Sequence, residues 1–552
     1  MIKEIKNINP KEITDSVEVQ KLLVLFMNIV ENQAKVIDEL RQENQALRDE
    51  INRLKGEHGD LPPKAPKTSN SAKGKKEEEK KNKKKNKNKN HKKGSKKANL
   101  PIDRTVKCSI DKSILPADAK FQGYNTVVQQ DLIIKRDNVL FQIPVYYSAS
   151  EKKTYKGKLP PEYEGQFGGQ LKSWLQLLHH YCDVTQGRLK HLMDNIGISI
   201  SKGSISNILL SNTAEMAEES LAILRAGIEH IPYAQTDGTK GWEAGQGKST
   251  QIICTPYYSV YHTMDSKSKA SIIWALQGKT GESVPLIYDN LAISFLADST
   301  VPQKDQRLLS SLLELNKTYS LEGFESLLSR KAAHLMDKAS YPKMIECLAL
   351  AYYLGQSNFP KVQILVSDAG PEYSDIAAHH AFCWLHEERH YKKMIPKLDL
   401  NHAAVEAFRA QIWDFYEKLL IFKELPPDQQ AVQKPILNQE FDEIFTQQTD
   451  YDVLNNRIKK TFSKKEKLLQ VLDFPFLPLH NNASELAVRR KVRKRDISLH
   501  TMSVKGTRAQ DAFMSVVETA AKLGINALDY LYDRITKKYQ MPSLASLITN
   551  TL

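Results

Sequence analysis

The pattern of apolar and polar positions divides the chain into stretches of different character. Between residues 20 and 55 the apolar positions recur in heptads: Leu23, Val30, Ile37, Asn44 and Ile51 in one column, Phe26, Gln33, Leu40, Leu47 and Leu54 in the other. With charged neighbours such as Glu39, Arg41, Arg48 and Glu50, this predicts a helix that pairs with another helix. Asn44 in the first column favours a two-stranded, in-register coiled coil. The alternative is a single amphipathic helix lying on its own protein.

The pattern then stops. Residues 58–100 carry Pro62-Pro63, Pro66 and a lysine- and asparagine-rich tract that cannot bury a core, so they read as an unstructured linker. In the small β-rich region 101–165, the runs Val127–Ile134 and Val139–Tyr147 flank Arg136-Asp137-Asn138 and predict a hairpin, with Pro144 pushing the second strand to an edge. Residues 166–228 are helical. Leu171, Trp174, Leu175 and Leu178 share a face, Asp183–Asn195 follows, Gly197–Ile200 breaks the pattern, and Ser204–Leu210 resumes it. A helix, a glycine-containing turn and a short polar helix suit a helix-turn-helix DNA reader, although helical hairpins of this kind are common.

Helices and strands mix beyond Ala214. Ala214–Ile228 is a predicted helix, Ile231–Thr236 a strand ending at Asp237, and Thr250–Met264 a β-rich stretch. A polar helical section at 282–355 reads as an insertion. Val362–Val366 is a strand ending in Ser367-Asp368, and Ala403–Leu420, Ala483–Arg495 and Ala509–Leu523 are helices. The fold class is therefore multidomain α/β, with a catalytic domain over 229–500 and a helical C-terminal domain over 501–552.

Composition narrows the partners. A chain of 552 residues exceeds one core. It contains no run of 18 or more apolar residues, and Met1-Ile2-Lys3-Glu4 does not begin a secretory signal, so neither a membrane nor export is expected. Five scattered cysteines without a CxxC pair argue against a disulfide framework and suit a reducing cytoplasm. Of the net charge of +14, +11 lies between Lys73 and Lys97. Such a run is either a solvated surface or a general attractor of polyanions, and it reads no base.

The candidate chemistry lies in three carboxylates. Asp237 and Asp368 each end a predicted strand, where ligand sites of open α/β sheets form. Two such carboxylates brought together repel unless a cation lies between them, and magnesium is the natural one for hard oxygen ligands. Either aspartate alone also fits a turn or a helix cap. Glu485 has the spacing of a capping box with Asn482 and of a helical ion pair with Arg489. The cations that follow it, Arg489, Arg490, Lys491, Arg493, Lys494 and Arg495, suit phosphate contacts.

At these residues the chain resembles the bacterial insertion sequence 66 family of transposases. Gln235-Thr236-Asp237-Gly238-Thr239 with Gly241-Trp242 resembles the first acidic motif, and Ser367-Asp368-Ala369-Gly370 the second, with Cys383 and His386 as its Cys-x-x-His element. Asn481-Asn482-Ala483-Ser484-Glu485 with Arg489 is similar to the third, and Ser503–Gly506 and Glu518–Gly524 with Tyr530-Leu531 to the C-terminal signature. The resemblance implies a ribonuclease H-like core behind a leucine-zipper-like helix and a DNA-binding region. Asp237, Asp368 and Glu485 would hold two magnesium ions, or manganese in their place, for cleavage and strand transfer. It also implies double-stranded DNA as partner, self-association through the coiled coil, accessory proteins of the element, and a place at the bacterial nucleoid. Two departures stand out. Region 101–165 has only Cys108 where the family often binds zinc, so no zinc is expected, and Cys383 and His386 read as structural because two ligands do not close a site. His480 occupies a position that is often acidic. The rivals are a nuclease that cuts without joining and an inactive or repurposed chain that only binds DNA.

Overall fold

The computed structural model describes residues 17–54, 102–108, 122, 124–125, 127–158, 165–279 and 284–550. The predicted lysine-rich linker at 58–100 lies outside the described residues. The chain forms two compact units, divided at Lys35/Val36 and at Asp137/Asn138. The smaller unit, between those boundaries, holds the end of a helix spanning Val17–Leu54 and, among its described residues past 101, no strand.

In the larger unit the start of that helix lies on its own chain. Met27 and Val30 are buried against Leu398, with Leu23 packed beside them. Two polar side chains on this face cap other helices. Glu31 accepts from the backbone N–H groups of Lys397 and Leu398, where the helix Asp399–Lys423 begins without a side-chain cap of its own. Asn28 accepts from Asp452 N and donates to Asp450 O at 3.0 Å, serving the helix Asp452–Phe462 in the same way. Helix starts leave N–H groups unpaired, so these contacts fix the docking register. Leu23 and Val30, expected in the first heptad column, are thus occupied by the chain itself, while Phe26, Ile37, Leu40 and Leu47 stay exposed.

Nine strands are described: β1 (Val145–Ser148), β2 (Lys153–Lys156), β3 (Tyr233–Glu243), β4 (Gln246–Cys254), β5 (Ser259–Met264), β6 (Pro285–Tyr288), β7 (Lys317–Ser320), β8 (Ile364–Ser367) and β9 (His379–Phe382). The hairpin expected over 127–147 is shifted: β1 pairs with β2, and 127–144 form no strand. Pro144 has no N–H to donate, so pairing starts at Val145. Three helices follow, Gly169–His180, Gln186–Ile196 and Lys202–Leu210, around a core of Leu175, Leu189, Met193 and Ile205. Gly197 ends the middle one in the left-handed region, at φ 80°.

The central sheet has the order β5-β4-β3-β8-β9, antiparallel from β5 to β3 and parallel from β3 to β9. β8, Ile-Leu-Val-Ser, is buried throughout, as a parallel strand covered on both faces should be. β3 and β4 join through Ala244 and Gly245, both at positive φ, a pairing that two-residue hairpins require. β3 runs on past Asp237 to Glu243, where the sequence suggested it would stop, because β4 pairs with it along that whole length.

The helices Thr213–His230 and Val504–Lys522 share the main core with the sheet, through Ile223, Leu224, Val260, Phe513 and Val517. Residues of the predicted insertion, among them Leu286, Phe324 and Leu348, join that same core, and β6 and β7 form a two-stranded antiparallel sheet within it. A second helical body, which the sequence reading did not separate out, lies between β9 and the helix Asn482–Ser498. Trp384, Phe408, Phe415, Phe441 and Leu468 form its core.

Candidate active site

Strand register brings the first two carboxylates together. β3 and β8 pair in parallel with Gln235 opposite Val366, so Asp237 and Asp368 each stand two residues beyond a matched pair. Asp237 accepts from the Gly238 N–H at 2.7 Å, and Asp368 from the Gly370 N–H at 3.3 Å. Burial, with the neighbouring Asp368 charge adding to it, raises the pKa of the Asp237 carboxyl; the Gly238 N–H, Lys267 and His386 oppose that rise. Burial is thus the main reason why the charged form of Asp237 is disfavoured.

One built-in cation reaches it. Lys267, just after β5, pairs with Glu372 at 2.8 Å and lies over the Tyr373 ring, within electrostatic reach of both aspartates. Gly238 makes room for it: a Cβ there would meet the Lys267 side chain at 3.3 Å and Gln251 Oε1 at 2.9 Å.

Glu485 arrives on the helix Asn482–Ser498, whose start is stitched to the sheet. Asn481, fully buried, donates from its side-chain amide to Thr236 O at 2.9 Å. Its backbone N–H donates to Cys383 Sγ at 3.2 Å, and Gln235 donates to His480 O at 3.0 Å. The helix caps at Asn481 with no side-chain cap bond, and Glu485 turns elsewhere than to a capping box. Both its oxygens accept from Arg389 Nη2, at 3.0 and 3.1 Å, with Arg489 at 3.4 Å and His386 Nε2 at 3.6 Å. Among the described residues no three His, Cys, Asp or Glu side chains are already grouped closely enough to hold a metal ion. In the conformation described, Glu485 is engaged by cations instead of sharing a ligand cluster with the aspartates.

The six cations after Glu485 divide by orientation. Arg490 donates to Glu518 at 2.6 Å, to Asp183 at 3.2 Å and to Tyr181 O; Lys491 donates to Asp511 at 2.7 Å. Lys494 is fully buried and donates to His179 O. Burial lowers its pKa to about 8, with Asp183 opposing. These three fasten the helix Gly169–His180 and the helix Val504–Lys522 to the site helix. Arg489 and Arg493 are exposed, and Arg495, half-buried, donates to Lys240 O.

The sequence reading passed over two signals. Arg389, three residues after His386, is the main partner of Glu485. The run His386-Glu387-Glu388-Arg389-His390 also has the His-Glu-x-x-His spacing of zinc peptidases. Its Glu387 is buried between Arg457, Thr461 and Lys464, which hold its pKa down. A carboxylate so neutralised is not placed to act as a general base.

Residues 354–509 match the profile of a family described as "Transposase IS66 family", a span that contains Asp368 and Glu485 but not Asp237. The chain is 29% identical over 318 residues to the uncharacterized protein y4jO of Sinorhizobium fredii, covering 57% of this chain and 94% of that one. It is also 22% identical over 317 residues to the oligopeptidase PepF of Bacillus subtilis, covering 50% of this chain but only 45% of PepF. No solved structure gives a significant match.

Proposed function

The chain belongs, through residues 354–509, to the IS66 transposase family, and from that premise we propose that it cuts the ends of a DNA element and joins them to target DNA by phosphoryl transfer at Asp237, Asp368 and Glu485. The observation that carries this reading is the matched placement of Asp237 on β3 and Asp368 just past the end of the adjacent parallel strand β8, with the helix of Glu485 tied to β3 by Asn481. Three antiparallel strands followed by two parallel ones support reading the sheet as a ribonuclease H-like core.

The donor set fits a hard divalent cation. It consists of carboxylate oxygens, and a cation beside Asp237 would offset the burial, and with it the Asp368 charge, that disfavour its ionised form. Magnesium, or manganese in its place, would be held by Asp237 and Asp368 with Glu485 completing the site. When bound it supplies Lewis-acid polarisation of the phosphodiester and makes the attacking oxygen more acidic. The chain's own residues do the rest. Lys267 offsets the aspartate charges, the exposed Arg493 would take a DNA phosphate, and Arg489, exposed but paired with Glu485 at 3.4 Å, could turn to one. The exposed apolar positions of the Val17–Leu54 helix, Phe26, Ile37, Leu40 and Leu47, are where a second copy would pair, so that two element ends are held together. Accessory proteins of the element and a place at the nucleoid in the bacterial cytoplasm belong to the same reading. Among the described residues no helix is long and apolar enough to cross a membrane.

A peptidase reading draws on the His386–His390 spacing and the partial match to PepF, and the ion pairs of Glu387 weigh against it. The test is strand transfer of labelled element-end DNA in magnesium, comparing the wild type with Asp237→Asn, Asp368→Asn and Glu485→Gln. The expected result is joined product only in the wild type. Nicking without joining would make the protein a nuclease, and DNA binding with no chemistry would favour the DNA-binding role.

A further inference from the structure

The bond between Arg389 and Glu485 bears on how the site becomes active. A single nitrogen, Arg389 Nη2, spans both carboxylate oxygens at nearly equal distances, so neither oxygen is left wholly to another ligand. Glu485 is itself only 12% exposed, and the Arg389 side chain is 41% exposed. One nitrogen of the guanidinium is thus committed to Glu485, on a side chain that is partly open to solvent. The helix that carries it, Trp384–Lys392, follows directly from β9, the neighbour of the strand that leads to Asp368.

A guanidinium and a divalent ion on one carboxylate repel each other, so metal entry weakens the Arg389 bond. The phosphate that enters with DNA offers the guanidinium a replacement anion of matching geometry. The neighbouring cations are less well placed for this. Arg490, Lys491 and Lys494 are committed to other helices, and Lys267 to Glu372. Arg489 meets Glu485 only at 3.4 Å and is 64% exposed, which makes it a natural control.

We infer that Arg389 is a positioning residue that holds Glu485 in the resting site and exchanges it for a DNA phosphate when the divalent metal binds. The inference rests on the phosphoryl-transfer reading, in which Glu485 is a ligand. It makes the resting enzyme self-compensated and couples metal loading to DNA binding.

The test is titration of the full-length protein with Mn2+ followed by electron paramagnetic resonance, alongside the affinity for a labelled DNA duplex with and without Mn2+. Arg389→Gln removes the competitor, so Mn2+ affinity is expected to rise about five- to tenfold while the Mn2+-dependent gain in DNA affinity is lost. Arg389→Lys keeps the charge without the planar donor array and falls between the two; it also serves if the glutamine variant does not fold. Arg489→Gln changes Mn2+ affinity less than about twofold, because an exposed charge is screened. Unchanged or weaker Mn2+ binding in Arg389→Gln, or an equal effect from Arg489→Gln, overturns the exchange. Glu485→Gln separates the two levels. If it weakens Mn2+ binding while Arg389→Gln has no effect, only the exchange falls; if it leaves Mn2+ binding at the wild-type value, Glu485 is no ligand and the exchange falls with that reading.

Discussion

The side-chain amide of Asn481 donates to the carbonyl of Thr236, one residue ahead of Asp237, at 2.9 Å. This buried bond joins the strand that carries the first carboxylate to the helix that carries the third. Asn481→Ala removes this buried bond to the Thr236 carbonyl, at a cost of about 1 kcal/mol. It also frees the helix start, and displacements of about 1 Å at a reacting centre can cost on the order of a hundredfold in rate. The expected outcome is a lower melting temperature and strand transfer reduced far more than DNA binding, measured on the same preparation.

Asp237 gives a prediction in pH. Its folded-state pKa is raised, so ionising it in the folded protein is disfavoured. The associated stability is fully present below the unfolded carboxylate value of about 4 and is lost as pH rises through the folded value. Asp237→Asn should therefore raise the melting temperature at pH 7 in the absence of divalent metal. The gain should vanish at about pH 4 and shrink when magnesium is added at pH 7. Thermal melts across that range check it, and a destabilised Asp237→Asn at pH 7 would contradict it.

The divided cations predict divided phenotypes. Arg490 links Glu518, Asp183 and Tyr181, so Arg490→Ala should cost about 3 kcal/mol by removing the partner of the buried Asp183 and the half-buried Glu518. Arg493→Ala should leave the melting temperature unchanged while weakening DNA binding and flattening its salt dependence by about one unit of slope. Melting curves and fluorescence anisotropy at several salt concentrations decide both.

Lys494 should be a destabilising charge at neutral pH. Its folded pKa is about 8 against an ordinary 10.5, so the unfolded chain holds more protons between those values. The wild type should gain stability relative to Lys494→Met as pH rises from 8 to 10.5, and the difference should be level below 8. Paired melts at pH 7 and about pH 10 read it.

The docked N-terminal helix is testable without DNA. Glu31→Ala and Asn28→Ala each remove a cap from another helix and should cost about 1 kcal/mol. Hydrogen exchange should speed up both in residues 20–34 and at the starts of the helices Asp399–Lys423 and Asp452–Phe462. Faster exchange at only one of these places would mean that the helix is not held by its caps.

Elements with strong local signals could be read from the chain alone. The long N-terminal helix, the three short helices that follow the hairpin, the buried strand Ile364–Ser367 and the basic helix after Asn481 each carry their own periodicity or punctuation, because period and capping are properties of neighbours in sequence. The candidate carboxylates were also legible, from motif order and resemblance. What neighbours in sequence do not encode is which face meets what. Leu23 and Val30 fit a heptad as well as they fit Leu398, and only docking separates the two. Arg490, Lys491 and Lys494 look in sequence like Arg489 and Arg493, yet the helices packed around them turn some inward and leave others in solvent. The pairing of Glu485 with Arg389 links residues almost a hundred positions apart. The sequence by itself determined most of the helices and the buried strand Ile364–Ser367, since period and capping are written in short stretches. The tertiary structure alone decided which charges bind one another, because burial and distance arise only when those stretches pack.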